Sequence, residues 1–471
     1  MTLPGRRRRR SLAVLLGVQW MITLDATVVN VALDAIGREL AFSAAGLAWV
    51  VNGYLVAFAG FQLVAGRLGD LWGAKRVFLA GVVVFTAASL WCGLAGSPVV
   101  LVAARFVQGV GAAVASAVIL ALIAAGRPGT GARTRAIGFH GFVGAAGASA
   151  GLLVGGVVTD AVGWHWIFLI NVPAGVLIVF AGIRLLDDGG ARPTGGRVDA
   201  LGGVLVTGAL LLAVCGLIDA GAHGWTSARS MIIGLVVMLL VGAFLLRQAL
   251  AESPLVPPAL LAARSFPIGG VVRVLVSAGA FGQFFVETLY LQRVLGYDAS
   301  AAGFAFVPLT LVNCVFSLWI SRRLCGWLGE LRTLAVTLAL LVAGLLLYAV
   351  QPLDATYPVD VLPAMVLIGA GIGGAWVPMV KIAIDGAPAS DYGVASGLLN
   401  TAQQAGAALG IAAMAGVAST RTGELRATGA LADGYRLSFV VAAILVASAL
   451  PLLVLLSRRH SAGAKTQLPP S

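Results

Sequence analysis

Four ionisable side chains stand inside long apolar runs of this 471-residue chain: Asp25, Arg105, Arg273 and Glu287. A charge surrounded by hydrocarbon costs at least a few kcal/mol, so it marks function by default. Asp25 is about fourteen residues into an apolar run, near mid-bilayer at about 1.5 Å per residue. An acid there can be held as a permanent salt bridge. Alternatively it can load a proton from one side of the membrane and release it to the other. Arg105, in another run, is its candidate partner in either case. Glu287 shares a helical face with Gln283 and Tyr290, and Arg273 and Ser277 continue that face. Arg273 and Glu287 are separated by about 21 Å of helix and cannot pair directly. Glu287 lies near the end of its run, where water could hydrate it. Otherwise it is a second acidic site, suited to a cationic ligand or a second proton.

Neutral polar residues add stripes to these runs. Gln19, Thr23, Thr27, Asn30 and Asp34 fall within about 80° of one helix face, and Asp25 falls nearly opposite. One face is therefore expected to line an aqueous cavity and the other to turn Asp25 into its own bundle. Thr310, Asn313 and Ser317 form a shorter stripe, as do Asn400 and Gln403, and Gln108 sits one turn after Arg105. These can line a substrate path or bond helix to helix. Asp34 and Lys381 lie near run ends, where a charge reaches water at little cost.

The elements that must carry these residues follow from composition. Hydrophobic residues make up 59% and charged residues 11%, where a soluble domain has roughly a quarter charged. That excludes a soluble multidomain protein and a disordered one. The four cysteines (92, 215, 314, 325) lie in or beside apolar runs, which excludes a disulfide scaffold. Fourteen runs are long enough to span a bilayer: about 11–32, 47–65, 77–96, 99–123, 137–158, 166–186, 200–218, 230–249, 267–290, 303–321, 333–350, 361–380, 396–417 and 437–456. Their continuity argues for helices and against an outer-membrane barrel. The net charge of +12 does not call for a nucleic-acid partner. Most basic residues fall in alternate connections, among them Arg6 to Arg10, Arg67, Lys75, Arg76, Arg127, Arg184, Arg322, Arg323, Arg458 and Arg459. The other side holds Arg38, Arg229, Arg293, Arg421, Arg426 and Arg436. By the positive-inside rule both termini are cytoplasmic. The arginine run at 6–10 is expected to precede an uncleaved first span, because Asp25 interrupts the apolar stretch and no small-residue cleavage site follows. The scarcity of lysine among the basic residues points to a GC-rich bacterial genome, hence to a multi-pass protein of a bacterial inner membrane.

Five segments carry motifs. They are LDATVVNVAL (24–33), GRLGDLWGAKR (66–76), LVAARFVQGVGAA (101–113), GWHWIFLINVP (163–173) behind a glycine-rich span, and ASGLLNTAQQAGAALG (395–410). The second has a weak internal echo in SRRLCGWLGELR (321–332), without its Asp. Gly147, Gly151, Gly155 and Gly156 are echoed by Gly397, Gly406 and Gly410. Repeated bundles of this kind put a ligand site near mid-membrane. The expected organisation is a basic N-terminus (1–10), a six-helix bundle (11–186), two extra helices with linkers (187–265), a second six-helix bundle (266–457) and a tail (458–471).

Taken together, this order of motifs resembles the fourteen-helix drug:proton antiporter branch of the major facilitator superfamily. The resemblance implies an all-α membrane fold of two six-helix bundles plus two extra helices. It implies proton-coupled efflux of lipophilic drugs, antibiotics or secondary metabolites, cationic ones included, by alternating access. Asp25 would then be the first-span acid of proton coupling or cation recognition, with Arg105 as the proton-transfer arginine and Glu287 as a further acid. Gln19, Thr23, Asn30, Gln108, Gln283, Tyr290, Asn313, Asn400 and Gln403 are the candidate cavity residues. Gly66, Asp70, Gly73, Lys75 and Arg76 match the gating loop, with Gly66 and Gly73 expected in tight turns and Asp70 expected to hold a helix end or a basic group in one state. Lys75 and Arg76 serve equally as topology-setting charges. Gly147, Gly151 and Gly155 are expected to let helices pack closely. One departure stands out: Gly151-Leu152 replaces the Gly-Pro of that family's fifth span. It keeps open a symporter or a narrow metabolite exporter. A membrane transferase would need clustered His, Asp or Cys, whereas His140, His165, His223 and His460 are scattered; a receptor would survive loss of Asp25. No enzyme activity, metal, cofactor or ATP drive is expected. The expected partners are protons, a small lipophilic substrate and the bilayer, with the protein a monomer.

Overall fold

In hydrocarbon a backbone N–H or C=O finds no partner but another backbone group, so each apolar run folds as helix. The computed structural model describes residues 5–125, 130–187, 199–251, 254–257, 260, 265–384, 392–422 and 428–455, and no strand occurs among them. The helices are α1 (Gly5–Glu39), α2 (Ala44–Trp72), α3 (Ala74–Gly93), α4 (Pro98–Ala117), α5 (Ile119–Ala125), α6 (Thr130–Val162), α7 (His165–Leu169), α8 (Asn171–Leu185), α9 (Ala200–His223) and α10 (Ala228–Leu250). They continue as α11 (Ser265–Arg293), α12 (Ala299–Ala305), α13 (Val307–Val315), α14 (Ser321–Leu328), α15 (Glu330–Ala349), α16 (Leu362–Ile384), α17 (Tyr392–Thr422) and α18 (Thr428–Ala447).

Among the described residues, thirteen helices are long and apolar enough to cross a membrane. The run at 396–417 is helical within α17, but Asn400, Gln403 and Gln404 make it less apolar than the rest. Arg127, Arg192, Arg197, Arg264, Arg426, Arg458, Arg459 and Lys465 lie outside the described residues, as does the tail 458–471.

Short connections hold because one residue closes one helix or opens the next. Ser43 accepts from the Gly46 N–H, Ser97 from Val100, Asp199 from Gly202, Ser227 from Ser230 and Asp298 from Ala301. Each satisfies an N–H that the first helical turn leaves without a partner. Two expectations need correction here. The stretch 66–76 is not a loop, since α2 runs through Trp72 and α3 starts at Ala74. Gly66 therefore lies within a helix, with open space beside it, and makes no turn. Gly73 alone makes the turn, at φ +91°, and its echo Gly329 does the same at φ +78°. A side chain at either position would be strained.

Of the described residues, those within 1–255 and 287–307 form one compact unit, and those within 256–286 and 308–471 form a second. Both units pack helices by laying glycine against a neighbour's carbonyl. In the first, a Cβ on Gly147 would meet the Trp20 carbonyl at 3.1 Å, and one on Gly151 or Gly155 would meet the Leu24 or Val28 carbonyl at 2.7 Å. In the second, Gly406 and Gly410 meet the carbonyls of Val274 and Ala278 in the same way. The acceptors in each series are four residues apart, one helical turn, so α6 lies along α1 as α17 lies along α11. Gly156 of α6 is turned the other way, onto the Ala299 carbonyl of α12. The glycine pair 155–156 thus serves two neighbours at once.

The two surplus helices pair with each other. Asp199 accepts from Arg247 Nε and Gln248 Nε2, each at 3.0 Å. At the opposite end Asp219 takes Arg229 at 2.9 Å and His223 at 3.1 Å. α9 packs on α2, where Gly60 receives Thr207 and Gly203 receives Val64. α10 exposes Met231, Ile232, Leu235, Met238 and Leu239, a surface suited to lipid.

Candidate functional site

The first unit buries a polar network among α1, α2, α3, α4 and α8. Arg105, Gln108 and Gly109 of α4 lie at i, i+3 and i+4, hence on one face. Gly109 lets that face approach the α2 backbone at Tyr54, where a Cβ would strike the carbonyl. Arg105 Nη1 donates to Asp25 Oδ2 at 2.6 Å and to Gln108 Oε1 at 2.7 Å, and its Nε donates to the Val50 carbonyl at 3.0 Å. Asp25 Oδ1 accepts from Gln108 Nε2 and Asn171 Nδ2, both at 2.8 Å. Ser89 accepts from the same two amides at 3.1 and 3.0 Å and donates to the Phe168 carbonyl at 2.9 Å. The guanidinium lies 4.4 Å over the Tyr54 ring. Asp25, Arg105, Gln108 and Ser89 are all fully buried.

Chemically this is a single acid sealed from water, with each oxygen accepting at least one hydrogen bond and one basic partner supplying the countercharge. Removing one partner of such a pair leaves an uncompensated buried charge. Arg105 has acceptors on α2 and α4 besides Asp25, so it is fixed independently of α1. Among the described residues, Asp25 is the one α1 side chain bonded to it.

Several proposed cavity residues are engaged in packing. Gln108 is taken up by the network. Thr23 presses on Gly147, and the Thr27 hydroxyl donates to the Ala148 carbonyl at 2.9 Å. That part of the α1 stripe serves contact with α6, where an aqueous lining was expected. Gln19 and Gly144 are neighbours on the same seam, and Asn30 donates to the Thr27 carbonyl. Asp34 accepts from Arg293 and pairs with Arg38, both at 3.0 Å, so it has partners beyond water.

On α11, Glu287, Gln283 and Tyr290 are all buried, which speaks against the first of the two alternatives for Glu287, a side chain in water at the end of its run. The Gln283 amide has no hydrogen-bond partner among the described residues. Arg273 of the second unit donates from Nη2 to Gln403 Oε1 at 2.6 Å and lies 3.8 Å over the Trp376 ring. Asn313 lends its carbonyl to a close approach by Gly373, and Asn400 is half-buried on α17.

At the end of α2, Asp70 pairs with Arg67 of its own helix at 3.7 Å. Lys75 donates to the Ile183 carbonyl in the last turn of α8 at 3.1 Å, and Arg76 is exposed. Arg7 meets the same end of α8 through Asp187, at 3.1 Å. In the second unit Lys381 pairs with Glu330, which follows the echo glycine.

Sequence reasoning missed Ser89, Asn171 and Tyr54. Asn171 lies inside the segment GWHWIFLINVP and was given no role there. Ser89 and Tyr54 had no signal beyond being polar atoms in apolar runs.

The profile of the Major Facilitator Superfamily matches residues 15–411. The chain is 36% identical over 449 residues to a cephamycin export protein of Amycolatopsis lactamdurans, covering 94% of this chain and 92% of that one. It is 34% identical to a puromycin resistance protein of Streptomyces alboniger, covering 98% and 93%. A methylenomycin A resistance protein of Bacillus subtilis is 31% identical, covering 83% and 84%. Among solved structures, a bacterial homologue of the human lysosomal transporter Spinster aligns over 100% of both chains at 17% identity and a TM-score of 0.66. A peptide transporter, POT, aligns over 95% of each at 14% identity and a TM-score of 0.67. Those two likenesses bear on the fold. The family match and the near full-length relatives bear on identity: this chain belongs to the major facilitator superfamily, a multi-pass membrane transporter.

Proposed function

We propose that the protein exports lipophilic small molecules, antibiotics among them, in exchange for protons by alternating access. The export direction is supported by the names of relatives that match along nearly the whole chain. The coupling reading is carried by one observation, the sealed Asp25–Arg105 pair at 2.6 Å. In this reading a proton from outside reaches Asp25 when α1 opens to that side. The neutral acid no longer balances Arg105. Arg105 keeps Val50 and Gln108, so the link that weakens is the one to α1. Release of the proton on the cytoplasmic side restores the pair. Glu287 is the second acid of this scheme. Gly66, Asp70, Gly73, Lys75 and Arg76 form the gating end, with the Lys75–Ile183 contact broken on switching.

The protein works as a monomer in a bacterial inner membrane with both termini in the cytoplasm. The six-helix halves 11–186 and 266–457 move, and the insert between them rides on the first half. One observation favours a second reading, a symporter or an exporter of one metabolite. Helix α6 runs unbroken through Gly151-Leu152, where the antiporter pattern has a proline kink.

The test is substrate-dependent proton movement in liposomes carrying an imposed pH gradient and an internal pH dye. Ethidium and a panel of uncharged antibiotics serve as substrates. Wild type should show flux and Asp25→Asn should not. Flux retained in Asp25→Asn makes the pair structural and moves the coupling to Glu287. Uptake driven by inward protons establishes the symporter.

A further inference from the structure

Arg273 is 5% exposed and eight residues into α11, inside the membrane. An arginine keeps its charge in a protein interior. Its partners in the second unit are both neutral, the Gln403 amide and the Trp376 ring. Its Nε and Nη1 have no hydrogen-bond partner among the described residues. Gln403 and Trp376 beside it are only half-buried. The contrast with Arg105 is direct: that arginine is just as buried, and Asp25 stands 2.6 Å from it. A buried cation with free donors is costly unless something negative completes it.

We propose that Arg273 recognises an acidic group on the transported molecule, so that lipophilic organic anions, carboxylates above all, are a preferred substrate class. The aromatic face of Trp376 holds the guanidinium flat, and Gln403 fixes its far nitrogen. Nε and Nη1 are left to donate charge-assisted hydrogen bonds to a carboxylate. Ser277, one turn along α11, is fully buried and its hydroxyl also has no partner among the described residues. It offers a further donor on the same face. Asp25 does not oppose an anion here, because its charge is already balanced within the first unit. The proposal rests on the export reading for the words "transported molecule"; the binding chemistry does not.

The test is equilibrium binding to the purified full-length protein in neutral detergent. The probes share one scaffold: naphthalene-2-carboxylate, naphthalene-2-carboxamide and 2-naphthylmethylammonium. Wild type should bind the carboxylate about tenfold or more tightly than the amide, and the ammonium most weakly. Arg273→Gln should erase that preference while keeping its affinity for the amide, and Arg273→Lys should keep part of it. Retained amide binding and an unchanged melting temperature show that the variant is folded. Equal binding of acid and amide, preference for the ammonium, no binding of the carboxylate, or a preference surviving in Arg273→Gln would each overturn the proposal. So would displacement of the carboxylate by phosphatidylglycerol micelles, which would assign the site to a lipid headgroup. Asp25→Asn should keep the acid preference even with proton flux lost. Failure of coupling and failure of this site are thereby separable.

Discussion

The two units are built with the same packing rule and different electrostatics. In each, glycines one turn apart lay one helix against the carbonyls of another. In the first unit the charge carried by α4 is answered by a charge on α1, and Gln108, Asn171 and Ser89 extend the hydrogen bonding around that acid. In the second, Arg273 of α11 is answered, among the described residues, by an amide and an indole. The glycine seams fix how closely helices approach. They do not decide whether a buried charge is closed within the protein or left for something that arrives later.

The largest effect should come from splitting the closed pair. Arg105→Gln leaves Asp25 buried without countercharge, at a cost of about 3–5 kcal/mol, and thermal unfolding in detergent should fall by many degrees. Replacing both, as Asp25→Leu with Arg105→Leu, should recover much of that stability while proton flux stays absent. If flux returned, the pair would have no part in coupling. Arg273→Gln should instead leave the melting temperature unchanged or raised, since it removes a charge that no described residue of its own unit balances. A large loss on this variant would erase the contrast between the units.

Next come the seams. Gly151→Val and Gly410→Val push a side chain into a carbonyl in each unit. Overpacking of this sort costs about 1–3 kcal/mol, and the two should respond alike. Gly66→Ala and Gly397→Ala point into open space and should be silent or gain about 0.5–1 kcal/mol by replacing glycine inside a helix. Gly73→Ala should cost about 1–2 kcal/mol, because its φ of +91° suits no other residue well. Gly66 and Gly73 therefore belong to one motif with opposite expected outcomes. The smallest effect should be at the surface: Lys381→Ala loses an exposed pair with Glu330, worth under about 1 kcal/mol.

Much of the fold was legible because hydrocarbon enforces helix, and apolar length can be read along the chain. Asp25 and Arg105 were legible as a pair because each is expensive alone. The remainder of the network was not. Ser89 and Asn171 are cheap residues in a membrane helix, and their role exists only once α3 and α8 are brought beside α1. The continuation of α2 through Trp72 was hidden for a related reason. Arg67 and Asp70 look like loop charges, but a helix that leaves the bilayer can keep winding and pair them on its own surface. Thr23 and Thr27 read as a wet stripe because period alone does not distinguish water from a glycine-lined neighbour.

The dryness of Asp25 has a consequence for leakage. In this conformation the acid has no surface open to solvent, so exchange of a proton with bulk water requires α1 to part from α4. Collective openings of this size run on microseconds to milliseconds, slow against proton hopping in water. Under the proposed proton exchange, an idle carrier would then pass very little current down the gradient, and the cell's proton reserve would be drawn on only when the helices turn over with cargo.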